Sequence, residues 1–232
     1  GMVTAGHLYV DTDIERGVAT LTATVRNSTQ TERTVQVTGS VTQKTGEANG
    51  SQETTLTLAP GTETAVSLSV ALSECTLWQL DNPHLYTASL TVSGQGVAPD
   101  IVSTDFGMRR IERQDNKIVF NGTPIFLTGW ITWMVDWNTI APAPSVEQTE
   151  QRIRELKEAG FNAIKFCLVV PPDYVLDICD RMGIYCYIQY PIWEPAESED
   201  FFTRCMLQLP ELVEKDRNHP RVILSDFACE LP

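Results

Sequence analysis

The residues of this chain with chemistry to offer gather in its second half. Trp130, Trp133, Trp137, Tyr190 and Trp193 follow short apolar runs there. Rings held at the mouth of a cleft stack on flat, apolar ligand faces. Gln189 and Glu194 stand among them as polar candidates for the same cleft, whereas Asp136 and Asp173 read as solvated loop acids. Glu230 closes the run RVILSDFACE, a carboxylate at the end of a strand-like segment and so a candidate proton donor or acceptor. His219, in DRNHP, is a second proton carrier, but it precedes that run instead of following it. The six cysteines, Cys75, Cys167, Cys179, Cys186, Cys205 and Cys229, contain no C-x-x-C pair and have no histidine beside a pair. Their spacing describes no zinc site, and five of them sit in apolar runs as buried reduced thiols would. No Gly-rich loop follows an apolar run, so no phosphate cradle and no cofactor is implied.

Such residues need a frame, and the frame changes period part-way along the chain. Up to about residue 104 the pattern alternates, as in VATLTATVRN, TVQVTGSV and YTASLTVSG. Period two, β-branched residues and turn signals such as TGEANGS and APGT predict about seven strands of an immunoglobulin-like β-sandwich over residues 1–106. From Asn121 the order becomes β-α-β-α-β-α-β. PIFLTGW, NAIKFCLVV, IYCYIQY and RVILSDF read as buried strands. SVEQTEQRIRELKEAG, PPDYVLDICDRMG and a segment from about Phe201 to Lys215, bent near Pro210, read as helices. In the first helix Ser145 is the N-cap, Gln148 closes a capping box and Gly160 is the stop. Residues 107–232 are therefore expected to form an α/β half of a (β/α)8 barrel, four strands and three helices. Ile125, Leu127, Ile164, Phe166, Ile188, Ile223 and Phe227 are the expected inward-facing set. Left open on that face, they predict self-association of the chain through the half-barrel.

Charge narrows the partners. With 17 basic and 30 acidic residues the net charge is -13, which disfavours nucleic acid and anionic membrane surfaces. No apolar run is long enough to span a membrane. Three Asn-x-Ser/Thr matches, at Asn27, Asn49 and Asn121, occur by chance in a chain this rich in Ser and Thr.

Three stretches go beyond fold class: LWQLDNPHLYTASL (77–90), FGMRRIE (106–112) running into NKIVFNGTPIFLTG (116–129), and KDRNHPRVILSDFACE (215–230). Together they resemble the pattern of glycoside hydrolase family 2, the family of β-galactosidases, β-glucuronidases and β-mannosidases. The resemblance implies hydrolysis of β-linked carbohydrates with retention, without a cofactor or metal. It implies that Glu230 is the acid/base and that the nucleophile lies on a later strand, outside these 232 residues, so that the chain alone is expected to be inactive. It makes Trp78 and Tyr86 base-of-sandwich packing residues and FGMRR a crossing between domains, with Phe106 buried and Arg109 or Arg110 pairing across the junction. Asp216, Arg217, Asn218 and His219 become a capped turn with ion pairs at the N-terminal face of the barrel. Cys229, Trp133, Trp137, Gln189, Trp193 and Glu194 are the implied substrate contacts.

The pattern also departs from the family. Cys229 stands where the family has Asn, Ser225 where Trp is common, Lys165 and Leu168 where Arg and His occur, and Trp133 where His is frequent. These changes leave a divergent hydrolase or a non-catalytic carbohydrate-binding module as competing expectations.

Overall fold

The computed structural model describes residues 2–134, 143–192 and 199–226. Two units emerge: Gly1–Trp78 with His84–Arg110, and Gln79–Pro83 with Ile111–Pro232.

The first unit contains β1 (Val3–Ala5), β2 (Tyr9–Asp13), β3 (Val18–Asn27), β4 (Arg33–Gln43), β5 (Ala48–Leu58), β6 (Glu63–Ala71), β7 (Tyr86–Gly94) and β8 (Val97–Phe106). In one antiparallel sheet β3 pairs with β1, β2 and β6; the other runs β5-β4-β7-β8. Strand periodicity builds the core between the two sheets. Ala19, Leu21, Ala23 and Val25 of β3 point inward, as do Val35, Val37 and Val41 of β4 and Ala88, Leu90 and Val92 of β7. The intervening residues face water and pair across strands through their hydroxyls, as Thr20 does with Ser69 and Ser89 with Ser103.

Tyr86 is fully buried against Phe106, ring centroids 5.6 Å apart, and its hydroxyl accepts the Thr76 N–H at 2.7 Å. Trp78, also buried, donates its backbone N–H to Met108 at 2.9 Å. Arg110 forms an ion pair with Glu15 inside the same unit. Two of the three glycosylation matches are structural. The Asn27 amide donates to the carbonyls of Thr31, Leu58 and Ala59, and Asn49 bonds Ser73 and Glu74.

The second unit opens with an antiparallel ribbon of β9 (Ile111–Gln114), β10 (Lys117–Phe120) and β11 (Thr123–Ile125). Asn121 and Gly122, at φ 49° and 79°, make the two-residue turn that joins Phe120 to Thr123. There follow β12 (Gly129–Thr132), α1 (Val146–Glu158), β13 (Ala163–Phe166), α2 (Asp173–Met182), β14 (Tyr185–Gln189), α3 (Glu199–Asp216) and β15 (Val222–Asp226). The four strands of this last group are parallel and lie in sequence order, β12-β13-β14-β15.

The first parallel strand is thus GWIT, not PIFLTGW as expected. The Asn-Gly turn draws Thr123–Ile125 into the ribbon. The Asn162 side chain then clamps the crossing, bonding the Phe126 carbonyl at 2.7 Å and the Thr128 N–H at 2.8 Å. The capping box of α1 forms as read: Ser145 Oγ accepts from Gln148 N, and Gln148 Oε1 accepts from Ser145 N. Gly183 ends α2 in the left-handed region at φ 68°, its Cα so close to Leu80 that a Cβ would lie 2.1 Å from the Leu80 oxygen.

At Ile164, Phe166 and Ile188 the expected inward face is inverted. Ile164, Phe166 and Ile188 share a core with Ile153 and Leu156 of α1 and Val175, Leu176 and Ile178 of α2. They lie under the helices because an amphipathic helix must bury its stripe on the apolar side of the sheet. Of the other residues named for that face, Ile125 belongs to the ribbon, and Phe227 lies outside the described residues.

Candidate functional site

A parallel sheet brings the C-terminal ends of its strands to one edge, and ligands of such sheets bind beyond that edge. The register places Ile131, Lys165, Tyr187 and Leu224 in one row across the four strands, with Gln189 beside Asp226 in the next. By alternation these residues occupy the face away from the helices.

The polar members are connected. The Lys165 ammonium lies 4.6 Å from the centroid of the Tyr187 ring. The Tyr187 hydroxyl donates to Asp226 Oδ2 at 2.6 Å, and Gln189 Nε2 donates to the same oxygen at 2.9 Å. The Cys167 thiol donates to Gln189 Oε1 at 3.1 Å, which fixes the amide the right way round. The Tyr190 N–H donates to the Asp226 carbonyl at 3.0 Å, locking the end of β15 to the end of β14. Beyond β12 and β13 the backbone turns through Met134 and Leu168, both non-glycine residues in the left-handed region at φ 54° and 55°. Such strain costs roughly 1 kcal/mol or more per residue and tends to gather around sites.

Of the residues named from sequence, Gln189 joins this network and Trp133 stands at the same edge with 54% of its surface exposed. Trp130 is half-exposed, its ring edge-on to Phe161 at 6.2 Å. Tyr190 is corrected: it is buried in the core with Phe166 and Ile188, so it presents no face to a ligand. Trp137, Trp193, Glu194, Cys229 and Glu230 lie outside the described residues. Sequence reasoning missed Asp226, Tyr187 and Cys167. The signal was there in the period: counting back by two from Gln189 reaches Tyr187.

The opposite, N-terminal edge holds charge of another kind. Asp180 (α2) receives Arg221 Nη1 at 2.5 Å and His219 Nδ1 at 2.6 Å, and Arg221 is fully buried. Burial works to lower the Arg221 pKa, but the Asp180 charge outweighs it and holds the guanidinium firmly protonated. Asp177, Asp180 and His219 bring ligand-type atoms within 4.8 Å of one another. A guanidinium already neutralises their inner carboxylate, so the group is an internal ion cluster. Lys215 likewise ties Asp173 (2.6 Å) to Asp216 (3.0 Å), and burial raises the Asp216 pKa against that pairing. The DRNHP turn therefore works structurally, as read. Burial also pushes the Cys186 thiol well up, as suits an inert core cysteine. A cavity of about 660 Å³ between β12 and α1 is lined by Trp130, Thr132, Ile153, Phe166 and Cys179, on the helix side of the sheet.

Comparison with known proteins points to one family. Residues 3–109 match the profile of the glycosyl hydrolases family 2. A β-galactosidase of Bacteroides ovatus is 25% identical over 233 residues, covering 96% of this chain and 27% of that protein. The family match covers just under half of the chain, and the likeness to this β-galactosidase extends it over nearly all of the rest. A β-galactosidase of Thermoanaerobacter pseudethanolicus is 26% identical over 148 residues, 63% of this chain and 20% of that protein. A family 2 member from Bacteroides cellulosilyticus superposes with a TM-score of 0.84 at 23% identity, covering 98% of this chain and 32% of that one. A family 2 β-galacturonidase from Eisenbergiella tayi, bound to galacturonate, gives 0.85 at 17% identity over 97% of this chain and 40% of that one. These likenesses to solved structures establish shared fold. The chain spans about a quarter or less of the length of the curated relatives just named.

Proposed function

We propose that this chain is part of a retaining family 2 glycoside hydrolase acting on β-linked carbohydrates, with the first unit an immunoglobulin-like domain and the parallel sheet the first half of a (β/α)8 barrel. Glu230 is the proposed acid/base. It protonates the leaving oxygen and then activates water, while a second carboxylate from a later strand attacks the anomeric carbon. Trp133, Trp137 and Trp193 are proposed to stack on sugar rings, and Gln189, Glu194 and Cys229 to line the same cleft. The observation that carries the reading is the strand order β12-β13-β14-β15, with polar groups converging at the C-terminal edge just before the segment that bears Glu230. The whole protein is expected to hydrolyse nitrophenyl β-glycosides and the 232-residue chain alone to be inactive. Loss of the whole protein's turnover in Glu230→Gln supports the role; retained turnover removes it.

The second reading, a carbohydrate-binding module without turnover, draws on Leu168 and Trp133 at positions where the family often has histidines. Sugar binding without hydrolysis by the whole protein selects it. Self-association through the second unit also stands as a proposal, now on the exposed Trp130 and Ile131 of edge strand β12. Light scattering at micromolar concentration tests it, and a monomer mass removes it.

A further inference from the structure

We infer that Cys179 and Cys186 form a redox-active thiol pair, which a hydroperoxide converts to a disulfide joining α2 to β14; the inference does not depend on the carbohydrate reading above. The chain brings the two residues together by a short route. The Cys179 carbonyl accepts the N–H groups of Gly183 at 3.0 Å and Ile184 at 3.3 Å, so the last turn of α2 passes through left-handed Gly183 directly into β14. Both side chains are fully buried in the core between the helices and the sheet, and their thiols are hydrogen-bonded to each other. The Cys186 N–H donates to the Arg221 carbonyl at 2.9 Å, which sets the buried Arg221 beside the pair. Two adjacent thiols with a guanidinium next to them are more than apolar filling, because a cation stabilises the thiolate, the form of cysteine that reacts.

The surroundings divide the work between the two sulfurs. Burial works against ionising either of them, and the C-terminal end of a helix disfavours an anion. At Cys179 the hydrogen bond from Cys186 and the Arg221 charge outweigh burial and draw the pKa below the usual thiol value, whereas burial and that same hydrogen bond keep the proton on Cys186. Cys179 is therefore the nucleophile, and Cys186 is its donor and then its resolving partner. Cys179 also lines the cavity of about 660 Å³ between β12 and α1, a way in for an oxidant as small as hydrogen peroxide. The Cys179 thiolate attacks the O–O bond, keeps one oxygen as a sulfenic acid and releases hydroxide, which takes up a proton as water. The Cys186 sulfur then displaces the sulfenic hydroxyl, which leaves as water with the Cys186 proton, and the S–S bond closes. In sum the two thiols lose two electrons and two protons, and one hydrogen peroxide becomes two waters.

The experiment uses the whole protein, folded by circular dichroism, with hydrogen peroxide at neutral pH. Remaining thiols are blocked with iodoacetamide after unfolding, and a tryptic digest is read by mass spectrometry without reduction. Trypsin cuts at Arg181, so Cys179 lies in peptide 166–181 and Cys186 in peptide 182–204. The two peptides are expected to appear joined through Cys179 and Cys186, and to separate again with dithiothreitol. Cys186→Ser keeps a hydrogen-bond donor but removes the resolving sulfur, so Cys179 is expected there to hold a sulfenic acid that dimedone traps. Cys179→Ser is expected to leave Cys186 reduced. Asp180→Leu combined with Arg221→Met removes the ion pair as a unit and is expected to slow disulfide formation roughly fivefold or more at neutral pH, with the difference closing at a pH where the thiol ionises unaided. Peptides that stay apart in the folded, peroxide-treated protein overturn the inference, as does a link through Cys167 in place of Cys179. So does a Cys186 that oxidises in Cys179→Ser as fast as Cys179 does in Cys186→Ser, or an unchanged rate in the double variant.

Discussion

Removing the Asp180 carboxylate should be the most damaging single change in the second unit. Its side chain is 5% exposed and that of Arg221 0%, with 2.5 Å between their atoms. Two unit charges about 4 Å apart attract by about 4 kcal/mol at an effective dielectric near 20. Breaking a buried pair by deleting one partner costs about 3–5 kcal/mol, because the other charge stays buried and unpaired. Asp180→Ala also removes the acceptor of His219 Nδ1. A loss of about 4 kcal/mol is therefore expected from a total that for most domains is 5–15 kcal/mol. Urea unfolding followed by tryptophan fluorescence suits the test, since Trp130, Trp133, Trp137 and Trp193 belong to the second unit and Trp78 to the first. At a slope of about 2 kcal/mol per molar, the midpoint of the second unit should fall by about 2 M. The partner experiment separates pairing from packing. Asp180→Leu combined with Arg221→Met removes both charges and should lie within about 1 kcal/mol of the wild type. Were Asp180→Ala to cost less than about 1 kcal/mol, or the double variant to cost as much as the two single changes added, the buried ion pair would not be what holds α2 to the start of β15.

Gly183→Ala must push back the Leu80 carbonyl, which the new Cβ would meet at 2.1 Å, in addition to the left-handed penalty of about 1–2 kcal/mol, so thermal melting should show a loss of at least 2 kcal/mol. Lys157 donates to the carbonyls of Leu80, Met182 and Gly183; Lys157→Met should cost about 2 kcal/mol and be less than additive with Gly183→Ala. Asn27 and Asn49, buried and fully bonded, should stay unmodified when the chain is secreted from a glycosylating host, as peptide mass spectrometry would show.

Much of the frame was legible in the residues, for a physical reason. Ser145 with Gln148, Gly160 and Asn121-Gly122 act through their own backbone preferences, so each specifies its cap or turn without help from the rest of the chain. What depends on partners was not legible. The first parallel strand is Gly129–Thr132 and not the expected Pro124–Trp130, because the Asn162 side chain, more than thirty residues on, clamps the crossing that separates it from Thr123–Ile125. The inverted face has the same origin. A buried parallel strand is apolar on both sides over most of its length, so alternation cannot say which side the helices take. In NAIKFC the decision was carried by Lys165 alone, and in YCYIQ by Tyr187 and Gln189. Once those polar residues are given to the helix-free face, the network ending on Asp226 falls into place. The earlier motive for dimerisation through an apolar face then disappears, leaving the edge of β12 as the surface that would drive self-association.

The alkaline limit of the fold turns on Tyr185, the first residue of β14. Its ring is buried edge-on to Phe120 at 5.1 Å, and burial, helped by the nearby Asp81 charge, pushes its pKa up to about 12. The unfolded chain would ionise the same phenol near 10. The sign follows from the order of the two values. Below about pH 10 both states hold the proton, and the neutral ring contributes in full. Between 10 and 12 the unfolded state loses its proton while the folded state keeps it, so stability drains away until the folded phenol ionises as well. The loss attributable to this residue should reach about 2 kcal/mol, and Tyr185→Phe should remove that part of the pH dependence. Urea midpoints of the second unit measured at pH 9, 10.5 and 12 decide the matter. Parallel curves for the wild type and Tyr185→Phe over that range would mean that the phenol is already solvated in the folded state, and that the seat of β14 against Phe120 is looser than the geometry states.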